Sequence, residues 1–366
     1  MENFDLASYL TGGVERIVKS IVGSTLSNLK ASVFMAQYAL SARKAADKRA
    51  KAQDAGNPVP PFLIASITTQ CNLHCKGCYA RANHNCTDDD SKTGQMLTAE
   101  EWGRIFDEAS DMGVSFILLA GGEPMTRKDV LLEAGQQKDI LFPIFTNGTM
   151  FTDKNVELIA KHPNLLPVLS IEGKMETTDD RRGEGVYNSL LIGMERLKAK
   201  SITFGASVTI HKENMEEVMS AEFLNSLRDK GCKAVVYVEY VPMDESTAKI
   251  AIDDDDRDVM NERLLTLRNS YEDMLFVSFP GDEKTSGGCL AAGRGFFHIN
   301  AYGGAEPCPF SAYSDTSLRD VSLKEAMNSP LFRYLKESGT LANDHTGGCV
   351  LFENESVVQS FMANKG

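Results

Sequence analysis

Three closely spaced cysteines offer the clearest chemistry in this sequence. They lie in the run Cys71-Asn-Leu-His-Cys75-Lys-Gly-Cys78, with three and then two residues between them. Cysteine thiolates are the usual ligands of iron–sulfur clusters, so the triad fits three corners of a cubane cluster and leaves its fourth iron open. A zinc site is the alternative, because His74 lies inside the run and zinc accepts mixed Cys and His ligands. A disulfide framework is disfavoured, since three close cysteines are an odd number for pairing.

The residues around this run predict the elements that hold it. The apolar stretch 62–68 predicts a buried strand that ends just before the first cysteine. Thr98 and Glu101 form a capping box that opens a helix, and Gly113 closes that helix. Further strands are predicted at 114–120, before 148, and at 165–171, 204–210 and 234–241, with helices at 153–161, 186–199 and 215–229. Six strands separated by helices predict an α/β fold, a partial (β/α)6 TIM-like barrel with its site at the strands' C-terminal ends.

We predict four segments along the chain. They are an amphipathic helical N-terminal segment at 1–58, a barrel core at 59–243, a helical linker at 244–277 and a small cysteine-bearing α+β extension at 278–366. The first segment has apolar residues at helical spacing from Val14 to Val33, followed by a basic run from Arg43 to Lys51. A helix packed on the body or on a partner is the favoured interpretation. An interfacial helix lying on anionic lipid is the alternative.

Composition sets outer limits on function. The chain has 366 residues, 42% of them hydrophobic, and a formal net charge of -13. No apolar run is long enough to span a bilayer, and the acidic balance argues against nucleic-acid binding, which needs a basic footprint. Eight cysteines without a secretory signal predict a cytoplasmic protein whose thiols are reduced. The basic helix also allows a cytoplasmic protein that is attached peripherally to the inner membrane face. The four-aspartate run that starts at Asp253 lacks the glycine and glutamate of a calcium loop and predicts a solvated helix start.

A second motif gives the cysteine run its context. Gly121-Gly122-Glu123-Pro124 follows the second predicted strand. A CxxxCxxC run after the first strand and a GGEP run after the second resemble the radical S-adenosylmethionine (radical SAM) superfamily, and the resemblance extends over residues 62–242. It implies that Cys71, Cys75 and Cys78 hold a [4Fe–4S] cluster whose open iron is chelated by SAM. An electron from an external donor such as ferredoxin or flavodoxin would then cleave SAM and release a 5′-deoxyadenosyl radical that abstracts a substrate hydrogen.

The resemblance also implies contacts to SAM. The family often has an aromatic residue before the third cysteine, where this chain has Gly77, and Tyr79 is the nearest aromatic candidate for an adenine contact. Gly121, Gly122 and Glu123 would receive the methionyl amine of SAM, and Ser170 or Glu172 would meet its ribose. Arg182, with Arg181 as second choice, would pair with the SAM carboxylate, and Val208 and Thr209 would line the adenine pocket.

The C-terminal cysteines form a second group. Cys289, Gly303 and Cys308 have the spacing of the SPASM/twitch extensions, which carry auxiliary iron–sulfur clusters, and Cys349 follows without the four-cysteine run of a full SPASM domain. The resemblance therefore implies a twitch form with one auxiliary cluster, of the [4Fe–4S] type. Its fourth ligand would be Cys86, His345, an aspartate or the substrate, and a zinc site is the alternative. Cys232 is predicted to be a core thiol.

The function implied by these motifs is radical modification of a peptide or protein, through thioether or carbon–carbon bond formation or through oxidation. A lipid-linked or small-metabolite substrate at a membrane surface is a second hypothesis, and a non-catalytic iron–sulfur or zinc module is a third. The candidates for a catalytic base or radical-quenching donor are Glu239, Tyr240, His298 and Tyr302.

Overall fold

The computed structural model describes residues 29–364, except 84, 90–94, 243–246, 280–287 and 343–348. The strands are β1 (Phe62–Ser66), β2 (Phe116–Ala120), β3 (Phe142–Thr146), β4 (Leu165–Ser170), β5 (Phe204–Ile210), β6 (Cys232–Glu239), β7 (Leu275–Phe279), β8 (His298–Ile299) and β9 (Ala305–Glu306). The helices are α1 (Leu29–Asp54), α2 (Tyr79–Ala82), α3 (Ala99–Met112), α4 (Lys128–Gln136), α5 (Asp153–Lys161), α6 (Met175–Arg182), α7 (Val186–Ala199), α8 (Met215–Val218), α9 (Ala221–Asp229), α10 (Asp254–Ser270), α11 (Leu323–Ala326), α12 (Pro330–Glu337), α13 (Val350–Glu353) and α14 (Glu355–Ala363).

One sheet of nine strands runs through the molecule in the order β7-β6-β5-β4-β3-β2-β1-β8-β9. The strands β1 to β7 are mutually parallel, β8 is parallel to β1, and β9 is antiparallel to β8. The α/β fold with an unclosed parallel sheet is therefore confirmed. Because the strands are parallel, the loops that follow β1 to β6 all emerge at one edge, which we call the C-terminal edge.

The sheet is larger than the six strands predicted. β7 pairs in parallel with β6, and α10 connects them, so a seventh βα unit occupies the segment predicted as a helical linker. The run at Asp253 behaves as predicted: Asp253 caps α10 and forms a capping box with Asp256. β8 and β9, which lie in the predicted extension, add to the edge beside β1. The extension is thus joined to the barrel core by backbone hydrogen bonds.

Local signals in the sequence set several helix boundaries. Thr98 and Glu101 form both hydrogen bonds of the predicted capping box, and Gly113 ends α3 in the left-handed conformation. The single helix predicted at 215–229 is divided into α8 and α9, because the Ser220 side chain accepts from the N–H of Phe223 and caps a new helix. Trp102 and Phe106 of α3 are fully buried and pack towards Phe142 of β3, in the core between helix and sheet.

The helix α1 packs on the body of the protein, as the favoured interpretation predicted. The Tyr38 hydroxyl donates to the Ser115 carbonyl at 3.0 Å, and the Arg49 guanidinium donates to the Gly113 carbonyl at 2.5 Å. Part of the basic run is therefore used in packing rather than presented to a lipid surface. The apolar pattern at 14–28 lies outside the described residues. Within the described residues, no helix is both long enough and apolar enough to cross a membrane.

Candidate functional site

The three cysteines of the first group lie together in the loop between β1 and α2. Cys71, Cys75 and Cys78 are free thiols and are partly exposed, at the C-terminal edge of the sheet. His74, the residue that kept zinc in consideration, is turned outwards and pairs with Asp88 at 2.9 Å. In the described part of the chain, no three His, Cys, Asp or Glu side chains converge as the ligands of a single metal ion would.

The glycines of the GGEP run press directly on the entry to this loop. The N–H of Gly122 donates to the Thr68 carbonyl at 2.8 Å, and the N–H of Glu123 donates to the Gln70 carbonyl at 2.7 Å. A Cβ added to Gly121 would lie 2.3 Å from the Thr68 oxygen, and one added to Gly122 would lie 2.0 Å from the Gln70 oxygen. Only glycine allows this approach. The GGEP run therefore fixes the path of the chain into Cys71.

The Glu123 carboxylate ties the GGEP run to the end of β3. It is buried and accepts hydrogen bonds from the Thr146 hydroxyl at 2.7 Å and from the backbone N–H groups of Asn147 and Met125 at 2.8 and 3.0 Å. Burial raises the pKa of Glu123 to about 7 against the opposing effect of these hydrogen bonds. With its oxygens already bonded to the protein, the carboxylate positions neighbouring loops. The predicted contact of this run with the SAM amine stays a prediction.

Asn147 is a site residue that sequence reasoning did not assign. Its side-chain amide donates to Asn72 Oδ1 at 2.9 Å, and it lies 3.9 Å from the Cys71 sulfur. Asn72 in turn donates to the Thr149 hydroxyl at 2.8 Å. The loop after β3 is thus hydrogen-bonded to the first cysteine of the triad. The only signal in the sequence was that Asn147 ends a strand at the predicted edge.

A buried ion-pair group supports the other side of the cysteine loop. Glu172 is fully buried, and its Oε1 accepts from Arg181 at 2.5 Å and from Arg182 at 2.5 and 2.8 Å. Its Oε2 accepts from the backbone N–H of Thr209 at 3.0 Å. The Arg181 carbonyl accepts from the N–H of Lys76 in the loop, at 2.8 Å. Burial would raise the pKa of Glu172, but the two guanidinium groups outweigh it and hold the pKa below its usual range.

This arrangement bears on the predicted SAM contacts. Of the two ribose candidates, Glu172 is saturated by protein donors, whereas Ser170 at the end of β4 stays partly exposed. Arg182 is predicted to meet the carboxylate of SAM. Burial raises the pKa of Cys75, and the nearby charge of Arg182 opposes that shift. Val208 is fully buried in β5. These assignments remain predictions.

Tyr240 fills the space that the missing side chain of Gly77 leaves. Gly77 has φ +62°, and a Cβ there would lie 2.6 Å from the Tyr240 hydroxyl. The Tyr240 ring also meets the ring of His211 edge-on, with centroids 6.3 Å apart. His211 is buried, and its Nδ1 has no hydrogen-bond partner among the described residues. No motif in the sequence pointed to this histidine. An aromatic ring from the end of β6 therefore lies against the cysteine loop at the position where the loop itself has glycine.

The other catalytic candidates are less accessible. Glu239 is buried and its carboxylate accepts from Arg257 of α10 at 2.8 Å. His298 is also buried, with Nε2 at 2.7 Å from the Ser66 hydroxyl and Nδ1 at 2.7 Å from the Glu306 carboxylate. That line of hydrogen bonds joins β1, β8 and β9. Tyr302, in the turn after β8, is partly exposed.

Tyr79 points towards the C-terminal extension. Its ring packs on that of Phe310 with centroids 4.9 Å apart, two residues beyond Cys308. Burial, followed by the nearby thiols Cys78 and Cys308, raises the pKa of Tyr79. The side chain of Asn83 donates to the Pro309 carbonyl at 3.2 Å. The first cysteine loop and the segment around Cys308 are therefore in contact through an aromatic pair.

The structure places Cys86 with the first cysteine group rather than the second. Its thiol is buried and donates to Cys71. That hydrogen bond is the main reason why the pKa of Cys71 is lowered to about 6, and it raises the pKa of Cys86. Cys86 is therefore misplaced as a fourth ligand of the C-terminal group. His345, the other named candidate, lies outside the described residues.

The second cysteine group is also brought together. Cys289, Cys308 and Cys349 are all buried, although the first and the last are 60 positions apart in the sequence. The Cys308 thiol donates to Cys349, which lowers the pKa of Cys349, and Cys349 occupies the N-cap position of α13 without a side-chain capping hydrogen bond. The lowered pKa favours a thiolate at Cys349. Cys232 is a fully buried core thiol at the start of β6, as predicted.

Comparison with known proteins identifies the part of the chain that carries the site. Residues 65–224 match the sequence profile of the Radical SAM superfamily. The AdoMet-dependent heme synthase of Methanosarcina barkeri is 27% identical over 81% of this chain and 90% of its own length. The PqqA peptide cyclase of Granulibacter bethesdensis is 29% identical over 43% of this chain, and the match spans only 42% of the cyclase.

The fold has solved counterparts. Streptococcus suis SuiB bound to S-adenosylmethionine superposes with a TM-score of 0.67 at 19% sequence identity, over 96% of this chain and 87% of SuiB. SuiB bound to its precursor peptide SuiA superposes with a TM-score of 0.64 at 18% identity, over 94% of this chain and 84% of SuiB.

Proposed function

We propose, because residues 65–224 belong to the radical SAM superfamily, that this enzyme uses Cys71, Cys75 and Cys78 to cleave SAM reductively and to activate a C–H bond of its substrate. Radical SAM domains bind a [4Fe–4S] cluster and SAM, and the cluster supplies the electron for that cleavage. The residues present fit this group: three free thiols share one loop, with guanidinium groups nearby. The observation that carries the proposal is the close approach of Gly121 and Gly122 to the backbone of Thr68 and Gln70, which leads into that loop. The match to the radical SAM superfamily and the enzymes among the relatives favour this proposal over the third hypothesis, a non-catalytic module.

The substrate we propose is a peptide or protein, held between the C-terminal edge and the C-terminal extension. The contact between Tyr79 and Phe310 places the second cysteine group beside the first, so a substrate lying there would meet both. A peptide cyclase is among the relatives, and the fold is shared with SuiB, which binds a precursor peptide. Ferredoxin or flavodoxin is the proposed electron donor.

A small metabolite is the second candidate substrate. The match to the AdoMet-dependent heme synthase of Methanosarcina barkeri spans 81% of this chain and 90% of the synthase. Its name points to a tetrapyrrole. The membrane-surface variant of this hypothesis has lost its main support, because Arg49 and Tyr38 dock α1 on the body.

The reaction class is tested by anaerobic reconstitution and an assay for 5′-deoxyadenosine. Reduced protein supplied with SAM is expected to form this product, and the Cys75→Ala variant is expected to form none above the protein-free background. Equal product from the two proteins would exclude the cysteine loop as the site of SAM cleavage.

The substrate class is tested by adding candidates to the same assay. We expect synthetic peptides for short reading frames beside the gene to increase 5′-deoxyadenosine formation and to change in mass. An iron porphyrin with propionate side chains is the competing probe. A mass loss in the porphyrin, with the peptides unchanged, would assign the enzyme to the small-metabolite candidate.

We also propose that Cys289, Cys308 and Cys349 hold an auxiliary cluster. Fully reconstituted protein is then expected to contain about eight irons and eight sulfides per chain, since each cubane cluster carries about four of each. A measurement near four of each would remove the auxiliary cluster. Zinc in place of the missing iron would support the zinc alternative for this group.

A further inference from the structure

A tight turn brings a serine next to the second cysteine of the C-terminal group. The N–H of Ser311 donates to the Cys308 carbonyl at 2.9 Å, and the two residues form an isolated antiparallel bridge. Cys308 and Ser311 have two residues between them, the same interval as Cys75 and Cys78 in the first loop. Two residues between paired ligands is the spacing that recurs in Cys-x-x-Cys metal sites.

The hydroxyl of Ser311 is buried and lacks a partner. Ser311 is 3% exposed, and its Oγ makes no hydrogen bond to any residue that the structure describes. Leaving a buried hydroxyl unsatisfied costs about 1–3 kcal/mol, so such groups are rare unless something else occupies them. Ser314, three residues on, shows the ordinary arrangement, because its Oγ donates to the Thr316 carbonyl at 2.8 Å.

Three thiols leave one corner of a cubane cluster without a protein ligand. Cys289, Cys308 and Cys349 supply three, and Cys86 is committed to Cys71 at the other loop. Among the described residues, Ser311 is the buried, unpaired polar side chain that shares a turn with one of these ligands. We propose that Ser311 Oγ is the fourth ligand of the auxiliary cluster, a proposal that rests on the cluster proposed above.

The chemistry of this ligand differs from that of a thiolate. A ligand must bind in its deprotonated form, so the Ser311 hydroxyl would release its proton to solvent as the oxygen joins the iron. An alkoxide oxygen is a harder donor than sulfur, so one iron of the cluster would differ electronically from the other three. With all four corners held by the protein, the auxiliary cluster has no open iron for the substrate.

The test isolates the auxiliary cluster in a chain that carries Cys71→Ala, Cys75→Ala and Cys78→Ala. Reconstituted with isotopically enriched iron, this protein is expected to bind about four irons, with one distinct from the rest in its Mössbauer spectrum. Adding Ser311→Ala should leave one iron without a protein ligand, so that mild oxidation, which the parent cluster withstands, lowers the content to about three irons. Adding Ser311→Cys should restore the content and remove the distinct signal. Ser314→Ala is the matched control and should change neither.

The outcomes separate the two proposals. If the parent protein binds no cluster, the auxiliary cluster itself is refuted. If it binds about four irons and both Ser311 variants keep the same content and spectrum, the cluster stands and the serine ligand is refuted. If Ser311→Ala does not fold, the Mössbauer spectrum of Ser311→Cys decides between the outcomes. A distinct iron signal that persists in this variant overturns the proposal, and loss of that signal supports it.

Discussion

Replacing Gly122 by alanine is expected to remove the iron of the first cysteine loop. The new Cβ would lie 2.0 Å from the Gln70 oxygen, a distance that real contacts do not reach, and 3.0 Å from the Cys71 nitrogen, which is tighter than most real contacts. The chain would have to move at Gln70, next to the first ligand, and would lose the hydrogen bond from Glu123 to the Gln70 carbonyl. Iron content should fall by about four per chain, and 5′-deoxyadenosine formation should fall to background.

A glycine elsewhere provides the control for this substitution. Gly56 has φ +76° and nothing within 4 Å of the added Cβ, so Gly56→Ala adds only backbone strain. It should lower stability by about 1 kcal/mol and leave iron content unchanged. Full iron content and SAM cleavage in Gly122→Ala would show that the close approach to the loop is not required for its chemistry.

The second large effect is expected at Glu172. Removing this carboxylate by Glu172→Ala leaves Arg181 and Arg182 buried beside each other without their shared partner. Breaking a buried ion pair in this way costs about 3–5 kcal/mol, because an uncompensated charge remains. The free energy of unfolding of the apo protein, measured in urea, should fall by about that amount. SAM binding should weaken as well, since Arg181 holds the loop through Lys76.

An exposed ion pair of the same kind is the matched control. Glu222 pairs with Lys174 at 3.0 Å, and both side chains are more than half exposed. Glu222→Gln should therefore change the free energy of unfolding by less than about 1 kcal/mol. Equal losses in the Glu172 and Glu222 variants would contradict the importance of burial at Glu172.

The sequence predicted those parts of the fold and site that depend on local patterns. Thr98 and Gly113 set the bounds of α3 through short-range hydrogen bonds, and the alternation of strands and helices fixed a parallel sheet with one functional edge. Cys71, Cys75 and Cys78 share one loop because they lie within eight consecutive residues, and their role as cluster ligands stays a prediction.

The parts that could not be predicted depend on contacts between distant residues. Thr209, a partner of the Glu172 carboxylate, and Thr146, a partner of the Glu123 carboxylate, lie on neighbouring strands, and nothing in the sequence spacing reveals that these groups will meet. β7 was missed because α10 is so acidic at its start that the segment resembled a linker. Cys86 was one of several candidates for the fourth ligand of the C-terminal group, and its hydrogen bond to Cys71 depends on the turn after α2.

The pairing of β8 with β1 has a consequence for biosynthesis. Ser66 and His298 bond to each other across 232 residues of sequence, so β1 has a bare edge while the ribosome makes most of the chain. Such an edge is a template for pairing with other chains, and long-range pairing of this kind forms slowly. Nascent chains should therefore aggregate more readily than the finished protein. Slower translation, or a chaperone that covers the edge, should raise the soluble yield without changing the stability of the completed fold.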